Sequence, residues 1–110
     1  LSVGTPWGPF IPVTVDNGVT FDFARIPPHI TDIQPQHYAL LVSESEFDAA
    51  FAKIRERGLS FWADPQQQRE GEINHNDGGR GIYFLDPSGH YLELLTVPYG
   101  GWPADSAASR

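Results

Sequence analysis

Gly78–Tyr99, GGRGIYFLDPSGHYLELLTVPY, holds two short strands and the turn that joins them. Arg80–Leu85 is β-branched and aromatic, and Tyr91–Val97 alternates between two faces, the pattern of a half-buried strand. Between them Asp86-Pro87-Ser88-Gly89 has turn chemistry at each position, since Pro87 fixes φ and Gly89 permits φ > 0. On the second strand Tyr91, Glu93, Leu95 and Val97 share one face, while Leu92 and Leu94 share the other. A carboxylate therefore sits mid-strand among apolar neighbours. That placement costs free energy unless the charge is paired, hydrogen-bonded or bound to a metal.

Upstream of this stretch, Gln36–Val42 has strand character, with His37, Ala39 and Leu41 on one face and Tyr38, Leu40 and Val42 on the other. A helix begins after it. Ser43-Glu44-Ser45-Glu46 matches a capping box, Phe47, Ala50, Phe51 and Ile54 recur at helical spacing, and Gly58 stands where a left-handed C-terminal residue is expected. Leu59–Ala63 has the length and composition of a short strand, and Asp64–Asn76 is a polar excursion too long for a tight hairpin. From Gln36 onward the order is strand, helix, then three strands.

The N-terminal part has a different character. Leu1–Gly8 is turn-rich and reads as a lead-in, and Pro9–Val15 and Val19–Ala24 form a hairpin around Asp16-Asn17-Gly18. Asp22 is a second acidic residue in mid-strand. Superposing Val19–Phe23 on His90–Leu94 sets Asp22 against Glu93, which suggests a duplicated unit whose first copy lacks its opening strand and helix. Arg25–Pro35, with Pro27, Pro28 and Pro35, reads as the connection between the two halves, and the tail after Gly100 loses its apolar pattern, with Trp102 the residue able to dock. The division that follows is residues 1–25, residues 36–99 and a tail at 100–110, within one domain.

Composition bounds the function. At 110 residues with 40% hydrophobic and 13% aromatic content the chain can bury a core. A net charge of −7 argues against nucleic-acid and anionic-membrane partners, because both are polyanions. With no cysteine in the chain, any metal must be held by His and carboxylate groups. No apolar run reaches membrane-spanning length, so a cytoplasmic protein is the expectation. The chain contains no methionine, and the expectation is that residues precede Leu1.

His37 and Glu93 are the leading candidates for a site, since an imidazole and a carboxylate on facing strands suit a divalent ion such as Fe, Mn, Zn or Ni. The alternative from spacing alone is a hydrogen-bonded core histidine and a solvated edge carboxylate. His75, in the polar loop Glu72–Asp77, can meet a substrate as acid, base or hydrogen-bond donor, or be solvated turn chemistry. Arg80 can hold a substrate carboxylate or pair with Asp77. Tyr83 shares neither face cleanly with Glu93 and can line a pocket wall, Phe61 and Trp62 read as core, and His90 reads as structural.

Gln36-His37-Tyr38-Ala39-Leu40-Leu41-Val42 with the following helix, then Gly81–Glu93 with its ending D-P-S-G-H-Y-L-E, resembles the second module of the vicinal oxygen chelate superfamily. That group contains glyoxalase I, extradiol dioxygenases, fosfomycin-modifying enzymes and bleomycin-resistance proteins. The resemblance implies an α+β fold of βαβββ modules, the first of them incomplete here. It implies that His37 and Glu93 ligate a divalent metal ion, with Asp22 as a further candidate ligand; Glu93, and His75 from its place in the polar loop, are the catalytic candidates. The family's usual third ligand, on the opening strand of the first module, has no counterpart in this chain.

The function so implied is that of a metal-dependent lyase, isomerase or ring-cleaving dioxygenase acting on a small oxygenated substrate as a homodimer. The alternative is a metal-free drug- or metabolite-binding protein of the bleomycin-resistance kind. A retained His37 and Glu93 count against it.

Overall fold

The computed structural model describes residues 2–14, 20–24 and 34–103. The chain divides into two compact units, Leu1–Ile33 and Gln34–Arg110. The expected turn at Asp16-Asn17-Gly18, the connection at residues 25–33 and the tail from residue 104 lie outside the described residues.

The first unit is an antiparallel sheet of three strands, β1 (Ser2–Val3), β2 (Phe10–Thr14) and β3 (Thr20–Ala24), in that spatial order. The expected hairpin is present as β2 and β3, registered from Phe10 opposite Ala24 to Thr14 opposite Thr20. The first residues are more than a lead-in, because Ser2 and Val3 pair with Thr14 and Val13. The approach is close: the Gly4 amide donates to the Pro12 carbonyl at 2.8 Å, and a Cβ on Gly4 would meet the Pro12 ring at 3.0 Å. Trp7 and Phe10 exchange backbone hydrogen bonds across a turn, with their rings stacked at 6.1 Å.

The second unit contains β4 (His37–Leu41), α1 (Glu44–Glu56), β5 (Phe61–Trp62), β6 (Gly81–Leu85) and β7 (Tyr91–Leu95), which is the expected βαβββ order. Its four strands lie in the order β4-β7-β6-β5, with β4 and β7 parallel and the other pairs antiparallel. Parallel neighbours need a long crossover between them, and α1 with the following strands supplies it.

The helix starts and stops where the sequence signals. Ser43 is the N-cap, its hydroxyl accepting from the Glu46 amide at 3.2 Å, while the Glu46 carboxylate accepts from the Ser43 amide at 2.6 Å. At the other end the Leu59 amide donates to the Ile54 carbonyl and the Gly58 amide to the Arg55 carbonyl. Both bonds require the left-handed turn at Gly58, where φ is +65°, a conformation that costs glycine nothing.

Alternation along the strands sorts the sheet into two chemically distinct faces. Leu40, Val42, Ile82, Phe84, Leu94 and Phe61 pack with Phe47, Ala50, Phe51 and Ile54 of α1, with Phe47, Ile54, Ile82 and Leu94 at the centre. The register puts His37, Tyr91, Glu93, Tyr83 and Trp62 on the opposite face. One face makes the core; the other carries the polar groups. No helix among the described residues is long and apolar enough to cross a membrane.

Candidate metal centre

Glu93 lies at the middle of β7, between Ala39 of β4 and Tyr83 of β6, and is only 2% exposed. His37 stands two residues before Ala39 on the same face, the diagonal position from which a long side chain reaches across a pair of strands. Its Nε2 lies 3.0 Å from Glu93 Oε1. The imidazole itself is half exposed, so the carboxylate sits at the floor of a shallow site and the histidine at its rim. A second group meets the same oxygen: the Tyr99 hydroxyl donates to Glu93 Oε1.

Tyr83 completes the surround. Directly opposite Glu93, it shares the carboxylate's face, contrary to the sequence expectation, and its ring centroid is 5.9 Å from that of His37. Trp62, opposite Tyr83, belongs to this face as well, whereas Phe61 joins the core as expected, edge-on to Phe51 at 5.1 Å.

Electrostatics favour protonated phenols here. Burial first, and then the neighbouring Glu93 carboxylate, push the Tyr83 hydroxyl above the usual phenol range. Tyr99 is pushed up more strongly, again by removal of its hydroxyl from water and then by its hydrogen bond to Glu93. Both groups therefore remain donors at neutral pH. Among the described residues no Lys or Arg pairs with Glu93, so its charge is met by neutral phenol donors and by one imidazole nitrogen.

The donor set can be tested against a divalent ion. Two donors in adjacent positions of an octahedral ion, at about 2.1 Å from it, stand about 3.0 Å from each other. His37 Nε2 and Glu93 Oε1 already have that separation. One imidazole and one carboxylate are also a common donor pair for Fe, Mn, Zn and Ni. The pair thus fits two positions of a metal centre. Among the described residues of this unit no third His, Asp or Glu joins it.

The remaining candidates have separate places. Asp22 is in the first unit, exposed, mid-strand in β3 and opposite Pro12. His75 is exposed beside a single-turn 3-10 element, Asn76–Gly78, and its carbonyl accepts from the Gly78 amide at 3.2 Å. Arg80 takes neither of its expected roles. Its guanidinium lies over the Phe47 ring at 4.5 Å, bonds Glu44 at 2.6 Å and Asp48 at 2.8 Å, and so ties β6 to α1. His90 is structural, as read from the sequence: its Nδ1 accepts from the Gln36 amide at 2.9 Å, which aligns the start of β4 with β7.

Tyr99 is the residue that sequence reading missed. A signal was present, since Tyr99 has the same parity as Tyr91, Glu93, Leu95 and Val97. The strand ends at Leu95, however, and a turn rather than strand alternation returns the phenol to Glu93.

A βαβββ unit carrying an imidazole and a carboxylate on the face of its sheet opposite the helix defines a recognisable class of protein. The sequence model of the Glyoxalase/Bleomycin resistance protein/Dioxygenase superfamily matches residues 9–94, and the chain belongs to that superfamily. Among solved structures it is similar to Oxidase ChaP-H2, with 58% identity and a TM-score of 0.83 over 92% of this chain and 77% of that one. It is similar to Oxidase ChaP-H1 as well, with 59% identity and a TM-score of 0.76 over 88% of this chain and 76% of that one.

More distant relatives are the Glutathione transferase FosA of Serratia marcescens, 35% identical over 69% of this chain, and the Metallothiol transferase FosB of Shouchella clausii (strain KSM-K16), 37% identical over 54%. The chain spans about half the length of FosA (47%) and 37% of FosB.

Proposed function

We propose that this chain provides a divalent metal centre of a vicinal oxygen chelate enzyme that oxidises a small oxygenated substrate with dioxygen as the oxidant. The observation that carries this reading is the 3.0 Å approach of His37 Nε2 to a buried Glu93 carboxylate on one face of the sheet. The oxidative reaction, in preference to lyase or isomerase chemistry, is supported by similarity to two oxidases at 58% and 59% identity.

His37 and Glu93 hold the ion. When bound, the ion supplies Lewis acidity to two neighbouring substrate oxygens. Around it this chain's own residues do the orienting. Tyr83 and Tyr99, held protonated, offer hydroxyl donors on the Glu93 side, and His75 exchanges protons with the substrate from the loop before β6. Glu93 lies at the floor of the site, where little water screens a carboxylate from a cation. The active species is a homodimer, a reading supported by β4 standing at the end of the strand order β4-β7-β6-β5.

Elemental analysis of the purified chain beside His37→Ala tests the proposal. Near-stoichiometric divalent metal in the parent chain and its loss in the variant are expected. Equal, sub-stoichiometric content in both would remove the metal centre and favour a metal-free binding protein.

A further inference from the structure

Tyr99 is an unusual neighbour for a buried carboxylate. It is 63% exposed, so burial of its ring does not account for its position, yet its hydroxyl reaches an oxygen of a residue that is 2% exposed. The turn that carries it is tied down on two sides. The Gly101 amide donates to the Pro98 carbonyl at 2.9 Å, and the Gly100 amide donates to Asp77 Oδ2 at 3.1 Å. Asp77 itself holds a left-handed backbone conformation, φ 55° and ψ 25°, which Asp and Asn adopt more readily than other residues with a side chain. The Asp77 carboxylate thus anchors the turn that places the phenol.

We infer that Tyr99 is a positioning residue for Glu93: its hydroxyl fixes the orientation in which Oε1 shares an ion with His37, and Asp77 holds Tyr99 in place through the Gly100 amide. The inference rests on the metal-centre reading above. Glu93 Oε1 has two protein partners, His37 Nε2 and the Tyr99 hydroxyl. A histidine that turns its Nε2 lone pair to a metal can no longer donate from that nitrogen. Tyr99 and Tyr83, which faces Glu93 from β6, are then the hydroxyls left beside the carboxylate, and Tyr99 is the one bonded to Oε1. Ala39, on the β4 side of Glu93, has no polar group with which to replace it. Groups that hydrogen-bond a metal-ligating carboxylate in this way commonly govern affinity, and losing one costs about 10- to 100-fold.

The test is titration of the full chain with Co(II), following both the dissociation constant and the visible absorption of the bound ion. Tyr99→Phe keeps the ring and removes only the hydroxyl. It is expected to weaken Co(II) binding by about 10-fold or more and to alter the ligand-field spectrum, with thermal unfolding unchanged. Asp77→Ala, which releases the Gly100 amide, is expected to weaken binding by a smaller factor and shift the spectrum in the same direction. A merely structural tyrosine would leave the spectrum as it was.

Parent-like affinity and spectrum in Tyr99→Phe, or tighter binding, would overturn the positioning role while His37→Ala still lost the ion. If His37→Ala also bound Co(II) as the parent chain does, the metal centre itself would be refuted and this role with it.

Discussion

Glu93→Gln is expected to lose divalent-metal affinity by more than about 100-fold, beyond the range that loss of a partner outside the ligand set produces. The same substitution is expected to leave the fold at least as stable as before. Both halves follow from the same facts. Glutamine has nearly the shape of glutamate and still offers an oxygen to Tyr99 and His37, but it lacks the negative charge a divalent ion needs from a hard ligand.

In the folded chain that charge is 2% exposed and, among the described residues, met by no Lys or Arg. Replacing a buried carboxylate that has no ionic partner by a neutral amide of the same shape removes the cost of keeping that charge out of water. Metal titration paired with urea denaturation measures both effects. A variant that bound metal normally and unfolded more easily would show Glu93 to be a structural acid rather than a ligand.

Phe47→Ala carries the largest expected effect on stability. Phe47 is fully buried at the centre of the core with Ile54, Ile82 and Leu94, and its ring lies 6.0 Å from that of Phe51. Truncation leaves a cavity the helix cannot close, and comparable buried phenylalanines cost about 3 to 5 kcal/mol. It also removes the surface on which the Arg80 guanidinium rests, and with it the seat of the tie between β6 and α1. Against a total of about 5 to 15 kcal/mol for a domain, that is a large share. Equilibrium unfolding in urea is the measurement. A loss under about 1 kcal/mol, smaller than for any well-packed aromatic, would show that the core lies elsewhere. Because Phe47 packs on the face opposite Glu93, the folded fraction of this variant is expected to bind metal normally.

The parts of this architecture that were legible in the sequence are those set by local chemistry. Ser43 and Glu46 mark the helix start, Gly58 marks its end, and both are found at those positions. Alternation along Tyr91–Leu95 places Glu93 opposite the core, and the motif ending at Glu93 shows the superfamily. What escaped depends on register and on distant pairing. Tyr83 faces the carboxylate because Leu85 pairs with Tyr91 across the turn, which fixes Tyr83 opposite Glu93 two residues further along each strand. Composition does not determine such a register.

Arg80 had Asp77 close in sequence, but the acids it meets are Glu44 and Asp48, one helical turn apart on α1. Ser2–Val3 is a strand only because β2 lies beside it, and its Pro- and Gly-rich neighbours gave the opposite signal. Tyr99 depends on a turn anchored by Asp77, a contact between two loops separated by a whole hairpin.

The account stands on one ion shared by His37 and Glu93, and the imidazole nitrogens report on it most directly. Nitrogen-15 NMR of the four histidines, recorded while Zn(II) is added to the chain, separates a ligating nitrogen from a protonated one. The expected result is that Nε2 of His37 moves to the position of a metal-bound nitrogen at one equivalent while its Nδ1 keeps the proton, and that Glu93→Gln abolishes the change. A His37 signal unaltered by zinc, or zinc taken up by another histidine instead, would contradict it.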